Sequence, residues 1–323
     1  SSSAASDVYK RQDNIMKVTL CFFNREYTTF LKGVCMLLIM ISHATNSFSF
    51  GRPFTPLGGI GVAVFLIVSG YGINESVKKA GFKDFWVKRI IKVWMPYVIA
   101  VATVLVLTGK VDSWDKGIYS IFFIERPYWF IPYIFECYFA YWAITKYFRK
   151  FSYECWTVLI VLSIAFFPEI QAEQSFSFFV GVLISEKIEY VQEFVQKKKF
   201  LNITILFLLA MGLFFLGIKQ TSIIRSLQDT IYFVVVQILI KGSIAVAIIF
   251  VPIVLRPCFK YNKVVMAIGI ISYELYLVHF PLFELINASF LNLLSYSFVS
   301  FLVSCVFYKF NVFYSSKLLK RLV

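Results

Sequence analysis

Ten stretches of about 15 to 25 residues in this chain are almost continuously apolar, and that pattern leaves few folds open. Inside a bilayer every backbone N–H and C=O needs an internal partner, so only α-helices and closed β-barrels cross it. Barrel strands would alternate over about ten residues, whereas these runs stay apolar over about the 20 residues that a spanning helix requires. The expected fold is all-α, a polytopic transmembrane helical bundle. Its spans are expected at 30–49, 57–74, 90–108, 128–146, 154–168, 175–189, 200–218, 231–255, 264–284 and 290–311. Composition agrees, with 59% of residues hydrophobic and 15% charged, against about a quarter charged in soluble domains.

A net charge of +14 would point to nucleic acid in a soluble protein. Its placement here gives a different answer. With the N-terminus inside, 25 of the 32 lysines and arginines fall on the cytoplasmic side of the ten-span map. The positive-inside rule then puts both termini in the cytoplasm, so the basic excess sets topology and no nucleic-acid partner is expected. The first 15 residues are polar and unlike the remainder, so 1–15 is expected to be a leader or cloning remnant and 16–323 a single integral-membrane domain. Segment 82–92, FKDFWVKRIIK, is amphipathic and basic and is expected to lie along the cytoplasmic interface before the third span. The six cysteines stand singly without ligand spacing, which makes them small core residues and gives no metal site.

Only two histidines occur, and each sits inside an apolar run: His43 in FLKGVCMLLIMISHATNSF and His279 in IGIISYELYLVHFPLF. Ionisable groups at membrane depth are costly and usually functional, and a neutral imidazole is well suited to moving protons near neutral pH. Lys32 precedes His43 by eleven residues, which returns it to within about 20° on the helix and places it about 16.5 Å away along the axis. One face of the first span thus carries a cation near the cytoplasmic boundary and an imidazole in the outer half. A snorkelling lysine and a structural histidine would give the same pattern. On the ninth span Ser272, Tyr276 and His279 share a face, and the topology puts His279 at the depth of His43.

Other residues carry two readings each. Arg89 and Lys92, spaced i, i+3 at the entry to the third span, suit a phosphate-bearing ligand or simply anchor the span. The glycines of GGIGVAVFLIVSGYGI allow close helix packing, or else Ser69 and Tyr71 flank an opening beside a ligand. In the fourth span, YWFIPYIFECYF, Trp129 and Glu136 stand seven residues apart on one face, and a glutamate at that depth needs a partner or water. Lys241 and Glu274 are further intramembrane charges and candidates to pair with each other. Lys241-Gly242-Ser243 is a candidate break in the eighth span, tolerated only where protein or water satisfies the backbone.

Taken in order, Lys32 and His43 with ten residues between them, VFLIVSGYGI, FWVKRIIKVWMPY, YWFIPYIFECY and ISYELYLVHFPLF resemble the acyltransferase 3 family. These are bacterial multi-span enzymes that O-acylate, mostly O-acetylate, cell-surface glycans and related acceptors. The resemblance runs from about Tyr27 to the C-terminus. It implies a protein of the bacterial inner (cytoplasmic) membrane that uses acyl-CoA, acetyl-CoA foremost, as co-substrate with no bound cofactor. It also implies a glycan or lipid-linked sugar as acceptor and glycan-assembly proteins as candidate partners. Where the family pattern has arginines this chain has Lys32 and Lys92, which keep the charge but lose the planar bidentate fork.

Acyl transfer also makes chemical sense of these residues. A cytoplasmic thioester donor would present phosphates to Lys32, Arg89 and Lys92 and extend its arm toward His43. His43 would act as general base on an acceptor hydroxyl or as a transient acyl carrier. Glu136 or a tyrosine hydroxyl would fix the imidazole tautomer or stabilise the developing oxyanion. Ser69, Tyr71, Trp129, Tyr276 and His279 are the supporting or acceptor-side candidates. Two other classes compete: a proton-coupled secondary transporter of a glycan or small anion, and a non-catalytic scaffold in a glycan-assembly complex. A transporter would show paired discontinuous helices in two related halves, and no such symmetry is visible in the sequence.

Overall fold

The computed structural model describes residues 22–46, 48, 53–108, 128–255, 262–284 and 290–322. The expected leader 1–15, the 109–127 connection, Cys21 and Cys258 lie outside the described residues. Helices occupy all ten expected segments, and no strand occurs among the described residues. In chain order they are α1 (Arg25–Asn46), α2 (Pro56–Ala80), α3 (Phe85–Arg89), α4 (Met95–Thr108), α5 (Phe130–Tyr147), α6 (Ser152–Phe166) and α7 (Ser177–Glu186). There follow α8 (Ile188–Gln196), α9 (Lys198–Lys219), α10 (Ile231–Leu255), α11 (Lys263–Ile270), α12 (Ser272–Glu284) and α13 (Phe290–Leu322). Five of them, α1, α2, α9, α10 and α13, contain stretches long and apolar enough to cross a membrane, and the chain is an integral membrane protein. By contrast the 10 residues of α7 rise only about 15 Å, half the thickness of a hydrocarbon core.

Local sequence sets the ends of α2. Pro56 opens it, where a missing N–H costs nothing, and Lys78 and Lys79 complement the dipole in its last turn. Gly81 stops it at a φ of 62° and returns its N–H to the Val77 carbonyl at 2.8 Å.

The described residues fall into two compact units. The first takes α1 through Ile39, Pro56–Glu75 and Trp156–Ile270. Its core gathers Tyr27, Leu31 and Cys35 of α1, Ala63, Val64 and Ile67 of α2, Leu201 and Ile205 of α9, and Ala245 and Ile249 of α10. The Tyr27 hydroxyl donates to the Ile249 carbonyl, which ties α1 to α10. Helices α2 and α7 approach backbone to backbone at paired glycines. A Cβ on Gly70 would strike the Phe178 carbonyl, and one on Gly181 the Ile67 carbonyl. Gly70 therefore serves packing, as small residues do in other membrane helix pairs, whereas Gly72 has open space about it.

Two expectations are corrected in this unit. Helix α10 runs unbroken through Lys241-Gly242-Ser243, with the Ser243 hydroxyl donating back to the Leu239 carbonyl of its own helix and the lysine held by a charge partner. That partner is Glu173 in place of the expected Glu274, and both side chains are nearly buried, at 9% and 5% exposed. Gly59 makes room for the lysine stem, since a Cβ there would meet Lys241 Cδ, Cε and Nζ. Around the pair, Lys219 Nζ donates to Gln237 Oε1 at 3.1 Å and Gln237 Nε2 to Glu169 Oε1 at 3.4 Å.

The second unit takes Met40–Thr55, Ser76–Cys155 and the chain from Ile271 onward, with α12 packed against α4 and α13. Its Glu274 accepts from Asn311 Nδ2 of α13 at 3.0 Å. The amphipathic segment 82–92 leads directly into the third span. Phe85 and Ile91 are buried at 3% exposed, and α3 continues into α4 through a π-helical turn, Ile90–Trp94. In that turn the Val93 carbonyl accepts from the Tyr273 hydroxyl of α12 at 2.5 Å.

Candidate active site

Both histidines lie in the second unit. His43 is half-buried on the last turn of α1, and His279 is 1% exposed in the middle of α12. Their ring centres stand 5.3 Å apart, with the rings tilted by 60°. The sequence placed them at similar depth, and the fold brings them face to face. The two residues are 236 positions apart in sequence.

The His279 ring is oriented by its own helix. Nδ1 lies 3.1 Å from the Leu275 carbonyl oxygen and 2.8 Å from that of Tyr276. Carbonyl oxygens only accept, so Nδ1 carries the proton. Nε2 is buried and has no hydrogen-bond partner among the described residues.

Pro281 shapes the same helix from the other side. It has no N–H, so the Leu277 carbonyl four residues earlier loses its helical partner. The Tyr128 hydroxyl supplies one, donating to that carbonyl at 3.1 Å. Tyr128 in turn packs edge-on against Tyr97 at 5.8 Å and Tyr276 at 6.3 Å between ring centres. Tyr276 completes the wall, 5.3 Å from Phe130 and 5.7 Å from His279. Tyr97, Tyr128 and Phe130 were not singled out in the sequence. The legible sign was Pro281, which leaves a carbonyl needing an outside donor.

The remaining candidates divide. Arg89 and Lys92 belong to the unit of the histidines, but they do not form a two-pronged grip. Arg89 is half-buried, with Nη1 donating to the Phe85 carbonyl at 3.2 Å and the guanidinium 4.3 Å from the Phe85 ring centre and 5.8 Å from that of Tyr138. Lys92 is exposed and lies within the π-helical turn Ile90–Trp94. Glu136 is half-buried on α5 within electrostatic range of Tyr133 and Cys137. Trp129 opens that helix and packs on Phe130 and Tyr133, at 6.2 and 6.3 Å. Lys32, Ser69 and Tyr71 fall in the first unit, where Tyr71 packs on Phe23 with ring centres 4.4 Å apart. Among the described residues no group of three or more His, Cys, Asp or Glu side chains is placed to hold a metal ion. Lys241 and Glu274, the charges a proton pathway would draw on, are each tied to a partner in their own unit.

The described residues contain helices and no strand, and the two histidines meet beside a wall of tyrosines. Residues 25–309 match the family model of the acyltransferase 3 acyltransferase domain. The chain belongs to that family, and an acyltransferase-type function follows. No curated protein and no solved structure matches it.

Proposed function

We propose that the protein is an O-acyltransferase of the bacterial cytoplasmic membrane. It moves an acyl group, foremost acetyl, from a cytoplasmic acyl-CoA to a hydroxyl of a cell-surface or lipid-linked glycan. The observation that carries this is the family match across both histidines, together with the 5.3 Å approach of their rings. In the reaction the acceptor oxygen attacks the thioester carbonyl carbon, His43 takes the hydroxyl proton, and the C–S bond breaks. The departing thiolate then receives a proton and leaves as the free thiol. Glu136 and the tyrosine wall supply hydrogen bonds to the acceptor or to the oxyanion. Comparing surface glycans with and without this protein by mass spectrometry tests the proposal. Loss of one acyl mass is the expected result, and identical glycan masses would contradict it.

Arg89 is assigned to the donor phosphates, with Lys92 as a looser second cation. Charge-assisted hydrogen bonds are worth about 1.5–3 kcal/mol, so Arg89→Gln is expected to raise the KM for acetyl-CoA by roughly 10- to 100-fold with little change in kcat. Steady-state kinetics on purified protein check this. An unchanged KM would reduce Arg89 to a membrane anchor.

The proposal also requires ten crossings with both termini inside. In a variant free of native cysteines, an impermeant thiol reagent is expected to label Gln228→Cys in intact cells and Lys198→Cys only after lysis. Both positions are exposed, so accessibility reports the side of the membrane. Labelling of Lys198→Cys from outside would invert the map.

A further inference from the structure

The fold dictates the proton state of the unpartnered nitrogen of His279. Nδ1 is committed as a donor to two carbonyls of its own helix, so the neutral ring holds a lone pair on Nε2. That lone pair is buried, has no partner among the described residues, and belongs to a ring whose centre lies 5.3 Å from that of His43. A buried acceptor without a donor is costly, and in native structures such a group calls for an explanation.

The ring separation supplies one. A collinear N–H···N bond of about 2.9 Å between two five-membered rings, each about 1.1 Å from centre to nitrogen, would hold the ring centres about 5.1 Å apart. The observed 5.3 Å is close to that separation.

We propose that His279 is the positioning partner of His43. Its Nε2 accepts a ring N–H from His43 and thereby places the His43 lone pair on the opposite nitrogen, as a general base requires. The order of groups is then backbone carbonyls of Leu275 and Tyr276, His279 Nδ1–H, His279 Nε2, His43 N–H, and the His43 lone pair. When His43 takes a proton from the acceptor hydroxyl it becomes an imidazolium with two N–H groups. One of them is already directed at a neutral ring whose own N–H is polarised by two carbonyls. A carboxylate could orient His43 equally well, but a buried carboxylate would carry a charge at membrane depth through every other step of the cycle. A second imidazole with a fixed tautomer does the same work without a standing charge.

This inference rests on the acyl-transfer proposal only in its kinetic arm. The structural arm exploits the presence of just two histidines in the chain. Protein labelled with 15N and 13C in its histidine rings and reconstituted in lipid bilayers gives two ring systems to assign by solid-state NMR. The expected result is His279 protonated at Nδ1, with a His43 N–H hydrogen-bonded to Nε2. In His43→Ala, the Nε2 resonance should move to that of a lone pair without a donor while Nδ1 stays protonated. His279 protonated at Nε2, or an Nε2 resonance indifferent to His43→Ala, would overturn the proposal.

In the kinetic arm, with acetyl-CoA as donor and a cell-envelope fraction as acceptor, His279→Gln keeps an acceptor oxygen near the Nε2 position and should lose no more than about tenfold in kcat. His279→Leu should lose about 100-fold or more, with the KM for acetyl-CoA unchanged, and should add nothing in a His43→Ala background. Equal losses in the two His279 variants, or additive losses with His43→Ala, would make His279 a packing residue only. Absence of transfer in the unmutated protein would fail the acyl-transfer proposal and leave the NMR result standing.

Discussion

Membranes containing His43→Ala at wild-type protein levels are expected to acylate their acceptor about 10²- to 10⁴-fold more slowly than wild type, the usual cost of removing a general base. The loss should be chemical in origin. His43 sits on the final turn of α1, where alanine is a better helix former, and the substitution makes an apolar segment more apolar. Insertion and folding should therefore be retained, as judged by membrane abundance and gel-filtration profile in detergent. Near-normal transfer by His43→Ala would remove the residue from the mechanism.

The largest effect on stability is expected at Lys241 and Glu173. Removing one partner of a buried ion pair leaves the other charge uncompensated, which costs about 3–5 kcal/mol. Lys241→Met should accordingly cause a pronounced drop in thermal stability in detergent, and Glu173→Leu should do the same. Replacing both at once with residues of similar volume should restore most of the loss, because an apolar pair in such a site is often as stable as the ionic one. Gly59 sets a limit on this rescue, since the space above it fits a straight unbranched stem. Additive losses in the double variant would show that each side chain matters for a separate reason, such as the link from Lys219 through Gln237 to Glu169.

The two histidines show how far sequence could reach. Helix positions followed from apolar run length, and equal depth for His43 and His279 followed from run length plus the basic residues between spans. Their approach followed from neither, because it depends on which helices pack together. The same limit explains the miss at Lys241. Two intramembrane charges of opposite sign, Lys241 and Glu274, invited pairing, yet each has a partner within its own unit. Glu173 carried no sign of its role because it sits between apolar runs, where a glutamate is unremarkable.

Backbone irregularity was harder still to foresee. Arg89 and Lys92 would share a face in an α-helix, but the π turn between them is set by contacts from α12 and α13, including the Tyr273 hydroxyl on the Val93 carbonyl. Pro281 was visible throughout as a helix residue without an N–H, and the Tyr128 hydroxyl that answers it lies 153 positions earlier in the chain. The glycines of α2 could have opened the helix to a ligand or closed it on a neighbour. The backbone of α7 against Gly70 decides for closure.

In the proposed reaction an acyl group passes from a cytoplasmic thioester to an acceptor hydroxyl across the membrane, with His43 as general base. Sealed vesicles of opposite orientation measure it directly. Isotopically labelled acetyl-CoA added outside inside-out vesicles should pass label to an alkali-labile glycan ester when the vesicles carry the wild-type protein. The same addition to right-side-out vesicles should give label only after permeabilisation, and His43→Ala vesicles should label at least about 100-fold more slowly than wild type. Label transfer in sealed right-side-out vesicles, or full transfer by His43→Ala, would contradict the account.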